Sequence, residues 1–178
     1  MSKTLLVMAG GTGGHVFPGL AVADLLRSRD WKVVWMGAPD GMEAKLVPAR
    51  GYEMAWVRFA ALRGKGLLRK LLLPFHLFSA CWQARREIRR VSPDVVLGMG
   101  GYVSFPGGMM AALLGCPLLI HEQNSIAGLA NRVLARVADR VACGFPDVLP
   151  KGIWVGNPLR PEMTRLPPPT TRLADRQG

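Results

Sequence analysis

Ala9-Gly10-Gly11-Thr12-Gly13-Gly14-His15 places four glycines in five positions ahead of a histidine, between an apolar run at 4–8 and a segment of helical character at 18–29. The backbone N–H groups of such a loop, backed by the positive end of a helix dipole, would favour an anion such as a pyrophosphate. A tight turn needing positive φ is the plainer reading, but one turn does not require four glycines, whereas close approach of backbone to a ligand does. The run matches neither standard phosphate fingerprint. A dinucleotide loop starting at Gly11-Thr12-Gly13 needs glycine where Val16 stands, and no Gly-Lys-Ser/Thr follows. His15 has the chemistry to take a proton from a hydroxyl or to bond a phosphate, although a lone histidine is more often structural.

A second polar cluster, His121-Glu122-Gln123-Asn124-Ser125, follows an apolar run at 118–120. No second histidine stands at zinc-binding spacing, so the cluster reads poorly as a metal site. One of its residues is expected to cap a helix beginning near Ala127, and at least one of Glu122 and Asn124 is expected to touch a substrate as well. Gly100-Gly101-Tyr102-Val103-Ser104-Phe105-Pro106-Gly107 aligns with Gly13-Gly14-His15-Val16-Phe17-Pro18-Gly19 with one inserted residue, which suggests a duplicated phosphate-type loop.

The net charge of +11 is unevenly spread. Nine basic residues (Arg58, Arg63, Lys65, Arg69, Lys70, Arg85, Arg86, Arg89, Arg90) and one acid, Glu87, give the 58–90 segment +8 of that total. Within it Leu68, Leu71, Leu72, Phe75, Phe78 and Trp82 share a stripe at helical spacing. Basic residues beside exposed Leu, Phe and Trp describe a segment lying in an anionic membrane surface, with Leu68, Arg69, Lys70, Leu71, Leu72 and Phe75 in contact. The competing reading turns the stripe to the core and the basic face to water. Pro74 is expected to interrupt the helix. Stacking on nucleic acid wants aromatics among the charges, and at 7% aromatic residues no nucleic-acid partner is expected.

These groups need elements to position them. Strands are expected at 4–8, 32–37, 52–57, 95–99, 118–122 and 140–143, and helices at 18–29, 42–49, 67–91, 106–114 and 127–138. Pro18 and Pro106 suit early helical positions. Continuous apolar strands alternating with helices imply an α/β fold, a doubly wound parallel sheet covered on both faces. Ligands of such sheets bind beyond the carboxyl ends of the strands, where both glycine loops and the 121–125 cluster fall. The stretch 95–120 is uncharged and long enough to cross a bilayer. Its six glycines and two prolines instead predict a strand, a glycine loop, a helix and the start of another strand.

With 178 residues, 49% of them hydrophobic and 20% charged, the chain is expected to bury one ordinary core, and a disordered or collagen-like class is excluded. Cys81, Cys116 and Cys143 form no CxxC or Cys/His cluster, so neither a disulfide framework nor a zinc site is encoded and a reducing cytosol fits. The apolar run before the glycines is too short for a signal-peptide core, so export is not expected. One domain is expected over 1–165, followed by a proline-rich linker and tail over 166–178 that leads to nothing further.

Taken together, the first glycine run through Val16-Phe17-Pro18-Gly19, Gly98-Met99-Gly100-Gly101-Tyr102-Val103-Ser104, His121-Glu122-Gln123-Asn124 and Gly156-Asn157-Pro158-Leu159-Arg160 resemble the N-terminal half of the MurG family. The resemblance runs from Lys3 to Leu166. It implies the N-terminal domain of a GT-B glycosyltransferase, inverting, with UDP-N-acetylglucosamine as donor. The implied acceptor is the C4 hydroxyl of undecaprenyl-pyrophosphoryl-MurNAc-pentapeptide, converting lipid I to lipid II. This half would carry the acceptor and membrane side, peripheral on the cytoplasmic face of the bacterial inner membrane, with no metal or other cofactor.

By motif, Thr12, Gly13, Gly14, Asn124 and Arg160 match donor positions, and Gly100, Gly101, Tyr102, Ser104 and His121 match the acceptor side. His15 is the first choice of catalytic base and Glu122 the second. Phe105 stands where a small residue is more usual, and the C-terminal donor domain is absent, so this chain alone is expected to be inactive. A non-catalytic α/β nucleotide-binding or regulatory module is the alternative; the broken dinucleotide fingerprint counts against it.

Overall fold

A computed structural model describes residues 2–59, 67–160 and 163, with the side chains of 67–71 excepted. Seven parallel strands form one sheet: β1 (Thr4–Ala9), β2 (Lys32–Gly37), β3 (Glu53–Trp56), β4 (Val95–Gly100), β5 (Leu118–Glu122), β6 (Arg140–Cys143) and β7 (Ile153–Trp154). Their order is β3-β2-β1-β4-β5-β6-β7. The helices are α1 (Gly13–Arg27), α2 (Glu43–Leu46), α3 (Leu67–Val91), α4 (Ser104–Leu113) and α5 (Leu129–Leu134), with a 3₁₀ turn at Pro48–Arg50. This is the expected doubly wound α/β fold, and the order reverses between β1 and β4, where such sheets open a crevice.

Alternation along the strands explains why they read as unbroken apolar runs. Leu5, Val7, Val33 and Trp35 meet Val16, Leu20 and Ala23 of α1 on one face. Leu6, Met8, Val34 and Met36 meet Ala80, Ala84 and Ile88 of α3 and Ala111 of α4 on the other. Each side chain lies against a helix layer, so neither face needs polar residues. Trp35 is fully buried, and its Nε1 donates to the carbonyl of Ala9 at 3.0 Å, tying β2 to the end of β1.

Several expectations are corrected. α1 begins at Gly13, so Gly13 and Gly14 of the glycine run stand in its first turn and Pro18 lies inside it. The burial of Val16, Gly19 and Leu20 outweighs the poor helix propensity of glycine. α3 continues through Pro74, sacrificing one backbone rung in a 25-residue helix. The second expected helix splits at Pro48, α5 ends at Leu134, and β7, two exposed residues long, was too short to show a period. No helix among the described residues is long and apolar enough to cross a membrane, and the uncharged stretch resolves into β4, a glycine loop, α4 and β5 as expected.

α3 carries two apolar faces. Ala80, Ala84 and Ile88 are buried, whereas Leu72, Phe75, Phe78 and Trp82 are exposed at 41%, 73%, 74% and 56%. The large residues of the sequence stripe face outward, so the core-facing reading is corrected for these four. The side chains of Leu68, Arg69, Lys70 and Leu71, with residues Arg63 and Lys65 and the 166–178 tail, lie outside the described residues.

A Cβ on Gly101, at φ +86, would fall inside the carbonyl of Gly10, whereas one on Gly51, at φ +77, would meet nothing. Gly51→Ala is therefore expected to cost only backbone strain, about 1–2 kcal/mol. Gly101→Ala should exceed that by about 1 kcal/mol or more through overpacking, and urea unfolding of the two variants checks the ranking.

Candidate functional site

Three loops meet at the carboxyl edge where β1 and β4 diverge. A cavity of about 520 Å³ there is lined by His15 from α1, by Gly100, Gly101, Tyr102 and Phe105 from the end of β4 to the start of α4, and by Glu122, Gly128 and Asn131 from the end of β5 to α5. Phe105 thus forms part of the wall. A second cavity of about 830 Å³ lies between the loops after β1, β2 and β3 and reaches Arg58 and His76. Phe59 and Tyr102 line both cavities, their rings 6.3 Å apart and tilted by 43°.

The glycine run ends as an open helix N-terminus. Thr12 is the N-cap in extended conformation, its side chain makes no capping bond, and no acidic residue stands in the first turn. Its carbonyl takes the N–H groups of His15 and Val16. Above this turn the Arg160 guanidinium packs 4.8 Å from the Phe17 ring, which brings the segment after β7 to α1. Thr12, Gly13, Gly14 and Arg160 therefore gather at one helix terminus, where dipole and guanidinium both favour negative charge.

Two buried carboxylates hold the loops. Glu43 is fully buried, accepting the N–H of Gly11 at 3.1 Å and of Ala38 at 3.0 Å, and so joins the loops after β1 and β2. Glu122 is also fully buried. One oxygen accepts from the backbone and side chain of Asn124 (3.0 and 2.9 Å), the other from Gly128 N–H (3.0 Å) and Asn131 Nδ2 (2.9 Å). Burial raises its carboxyl pKa, but the donors from Asn124, Asn131 and Gly128 outweigh it and hold the group below its ordinary range. Four donors on four lone pairs make Glu122 a clamp for its loop.

His15 Nδ1 lies 2.8 Å from Gln123 Oε1, and its Nε2 has no hydrogen-bond partner among the described residues. Asn131, 2% exposed, gives its amide hydrogens to Glu122 and to the His121 carbonyl, and its Oδ1 is the one buried side-chain oxygen or nitrogen among the described residues with no partner. Asn131 lines the cavity, and a buried acceptor without a partner is a costly feature that marks this part of its lining.

Not every expected residue reaches the cavity. His121 is 5% exposed with both ring nitrogens engaged, Nε2 on the Gly156 carbonyl at 3.0 Å and Nδ1 facing Gln123 Nε2 at 3.1 Å. Ser104 is fully buried, its Oγ 2.9 Å from the Met8 carbonyl and 2.7 Å from that of Gly100. Asn124 is exposed beyond β5, its amide nitrogen spent on Glu122. Sequence reasoning missed Glu43, Gln123 and Asn131. Gln123 stood inside the 121–125 cluster with no role of its own, and Asn131 carried no signal beyond falling in the helix that follows that cluster.

Fold and loop cluster together define a class, the Rossmann-like N-terminal half of a GT-B glycosyltransferase. The model for the Glycosyltransferase family 28 N-terminal domain matches residues 5–143. The chain is 66% identical, over its whole length, to the UDP-N-acetylglucosamine--N-acetylmuramyl-(pentapeptide) pyrophosphoryl-undecaprenol N-acetylglucosamine transferase of Dechloromonas aromatica (strain RCB), covering 51% of that protein. It is 70% identical over 176 residues, 99% of the chain, to the protein of the same name from Aromatoleum aromaticum, covering 49% of it. The crystal structure of Acinetobacter baumannii MurG matches with a TM-score of 0.78 at 42% identity, over 89% of this chain and 46% of that one. The chain belongs to glycosyltransferase family 28 through its N-terminal domain, and spans about half the length of the curated relatives it matches.

Burial holds the His121 imidazolium below its ordinary range near 6.5, against opposing pulls from the Gly156 carbonyl and Glu122. Both His121 and Glu122 thus bind protons more readily unfolded than folded. Stability is full above about pH 6.5 and declines as pH falls through the His121 range, then again below about 4.5 through that of Glu122. Denaturation midpoints measured from about pH 8 down to about pH 4 should show this fall, and His121→Asn should lose its upper part.

Proposed function

We propose that the chain is the acceptor- and membrane-side half of an inverting transferase. It would move N-acetylglucosamine from UDP-N-acetylglucosamine to the C4 hydroxyl of undecaprenyl-pyrophosphoryl-MurNAc-pentapeptide. The observation that carries this reading is the cavity at the β1–β4 divergence, lined by both His15, whose Nε2 is unengaged, and Asn131, whose buried Oδ1 has no partner. The names of the two relatives support the substrates. In this reading residues 1–165 form the domain, 166–178 a linker and tail, and a second domain completes the donor site.

The chemistry assigned to these residues balances simply. The acceptor oxygen attacks C1 of the sugar as His15 Nε2 takes its proton, the C1–O bond to the diphosphate breaks, and UDP leaves with that electron pair and the configuration inverted. Thr12, Gly13, Gly14 and Arg160 are assigned to the pyrophosphate and Asn124 to the donor; Gly100, Gly101 and Tyr102 are assigned to the acceptor. Glu122, His121 and Ser104 are assigned to holding the loops. No metal is assigned; among the described residues no three His, Cys, Asp or Glu side chains cluster as ligands would.

In the full two-domain transferase, His15→Ala should lower kcat at saturating substrates by about 10²–10⁴-fold. A raised KM with kcat unchanged would make His15 a binding residue only.

The exposed Leu72-Phe75-Phe78-Trp82 face supports peripheral attachment to the anionic cytoplasmic leaflet, with no nucleic-acid partner. Arg85, Arg86 and Arg89 have no acidic partner among the described residues, whereas Arg90 is neutralised by Glu53 and Glu87. The chain should sediment with anionic vesicles and release as salt rises, since each basic residue near the surface contributes about 1 kcal/mol. Phe75→Ser with Phe78→Ser should weaken that binding, and equal partitioning to neutral vesicles would refute its electrostatic part.

A further inference from the structure

Gln123 lies 7% exposed beneath the cavity floor and belongs to none of the roles assigned above. Its amide has one orientation that its neighbours allow. The His121 carbonyl, 2.9 Å away, can only accept, so the atom facing it is the NH₂ group Nε2. The same NH₂ lies 3.1 Å from His121 Nδ1 and 3.9 Å from Met99 Sδ; it can accept nothing, so a proton on Nδ1 would face it unpaired, and Nδ1 is the bare nitrogen of a neutral ring. His121 consequently carries its proton on Nε2, where the Gly156 carbonyl accepts it at 3.0 Å. These bonds leave Gln123 Oε1 facing His15, and an amide oxygen has no proton to give. The 2.8 Å contact therefore requires a proton on His15 Nδ1, and in the neutral ring the lone pair is then on Nε2.

We propose that Gln123 is a positioning residue that locks His15 in the tautomer able to accept a proton at Nε2, and that the lock is anchored through His121 on the backbone carbonyl of Gly156. The opposite tautomer would set an Nε2–H against the acceptor hydroxyl and a bare Nδ1 against the Gln123 oxygen. The first could accept no proton, and the second would place two lone pairs in contact. The anchor is itself held. Val155 N–H donates to the Cys143 carbonyl at 3.0 Å, and Asn157 Nδ2 donates to the Gln123 carbonyl at 3.1 Å. The segment after β7 is thus tied to β6 on one side of Gly156 and to the end of β5 on the other.

The proposal rests on the reading of His15 as proton acceptor, and its test separates the two. Long-range ¹⁵N–¹H correlation spectra of the histidine-labelled chain near neutral pH report ring tautomers without any turnover. His15 is expected as the Nδ1–H form and His121 as the Nε2–H form. An Nε2–H or averaging His15 overturns the lock, whatever the activity. In Gln123→Met, His15 should lose its single tautomer. In the full two-domain transferase the same substitution should lower kcat by roughly 10–100-fold, the range for losing a partner that orients a working histidine, with the donor KM little changed. A locked wild-type His15 with unchanged kcat in Gln123→Met overturns the positioning role. A His15→Ala transferase of undiminished kcat refutes His15 as base but leaves the tautomer result standing. Should Gln123→Met not fold, the wild-type spectrum alone decides the lock.

Discussion

β1 and β4 pair in register from Leu5 and Val95 to Met8 and Gly98, and then the register slips so that Ala9 faces Gly100. One extra residue, Met99, is accommodated there, and the strands part. Ser104 fills the opening from α4, within hydrogen-bond distance of the Met8 and Gly100 carbonyls. The positive φ of Gly100 and Gly101 then turns the chain beneath the first glycine loop, close enough to His15 that a side chain on Gly100 would strike its ring. The crevice, the helix terminus that opens into it and the seat of His15 all follow from this slip.

Around the crevice the N–H groups of Gly11, Ala38, Asn124 and Gly128 turn to carboxylates for their acceptors. Glu43 and Glu122 supply the acceptors from inside the protein. A buried carboxylate without a cation is costly unless N–H groups saturate it, and a loop N–H without an acceptor is costly as well. Placing the two problems together resolves both. Glu43 bridges the loops after β1 and β2, and Glu122 closes its own connection from Asn124 to Asn131. The cluster is consequently held by oxygen acceptors on rigid strand ends and short helices.

Much of this was legible in the sequence for a physical reason. Glycine runs and a histidine beside them stand out because few structural demands produce them, and apolar strands covered on both faces have no competing pattern. Glu43 could not be read, because a glutamate in a short polar stretch looks the same buried or exposed. Gln123 and Asn131 were hidden differently, since their importance lies in which end of an amide faces which neighbour. Periodicity also could not choose a direction for the stripe on α3. A helix with apolar residues on two faces satisfies the same spacing twice, and the face with the smaller total bulk, Ala80, Ala84 and Ile88, took the core. The start of α1 was misplaced because glycine propensity is a local quantity, whereas the packing of Val16 and Leu20 is not.

Gly101 touches the Gly10 carbonyl so closely that no side chain fits between them, and this contact bears on the thermodynamics of any ligand the crevice takes. Two glycine loops in isolation would be among the most disordered segments of a chain, and freezing them on a ligand would consume a large part of the binding free energy. Here each loop is the other's mould. The entropy of both is already lost when the sheet folds, so an incoming ligand meets N–H groups that are fixed before it arrives, and the glycines supply access without the disorder they ordinarily bring.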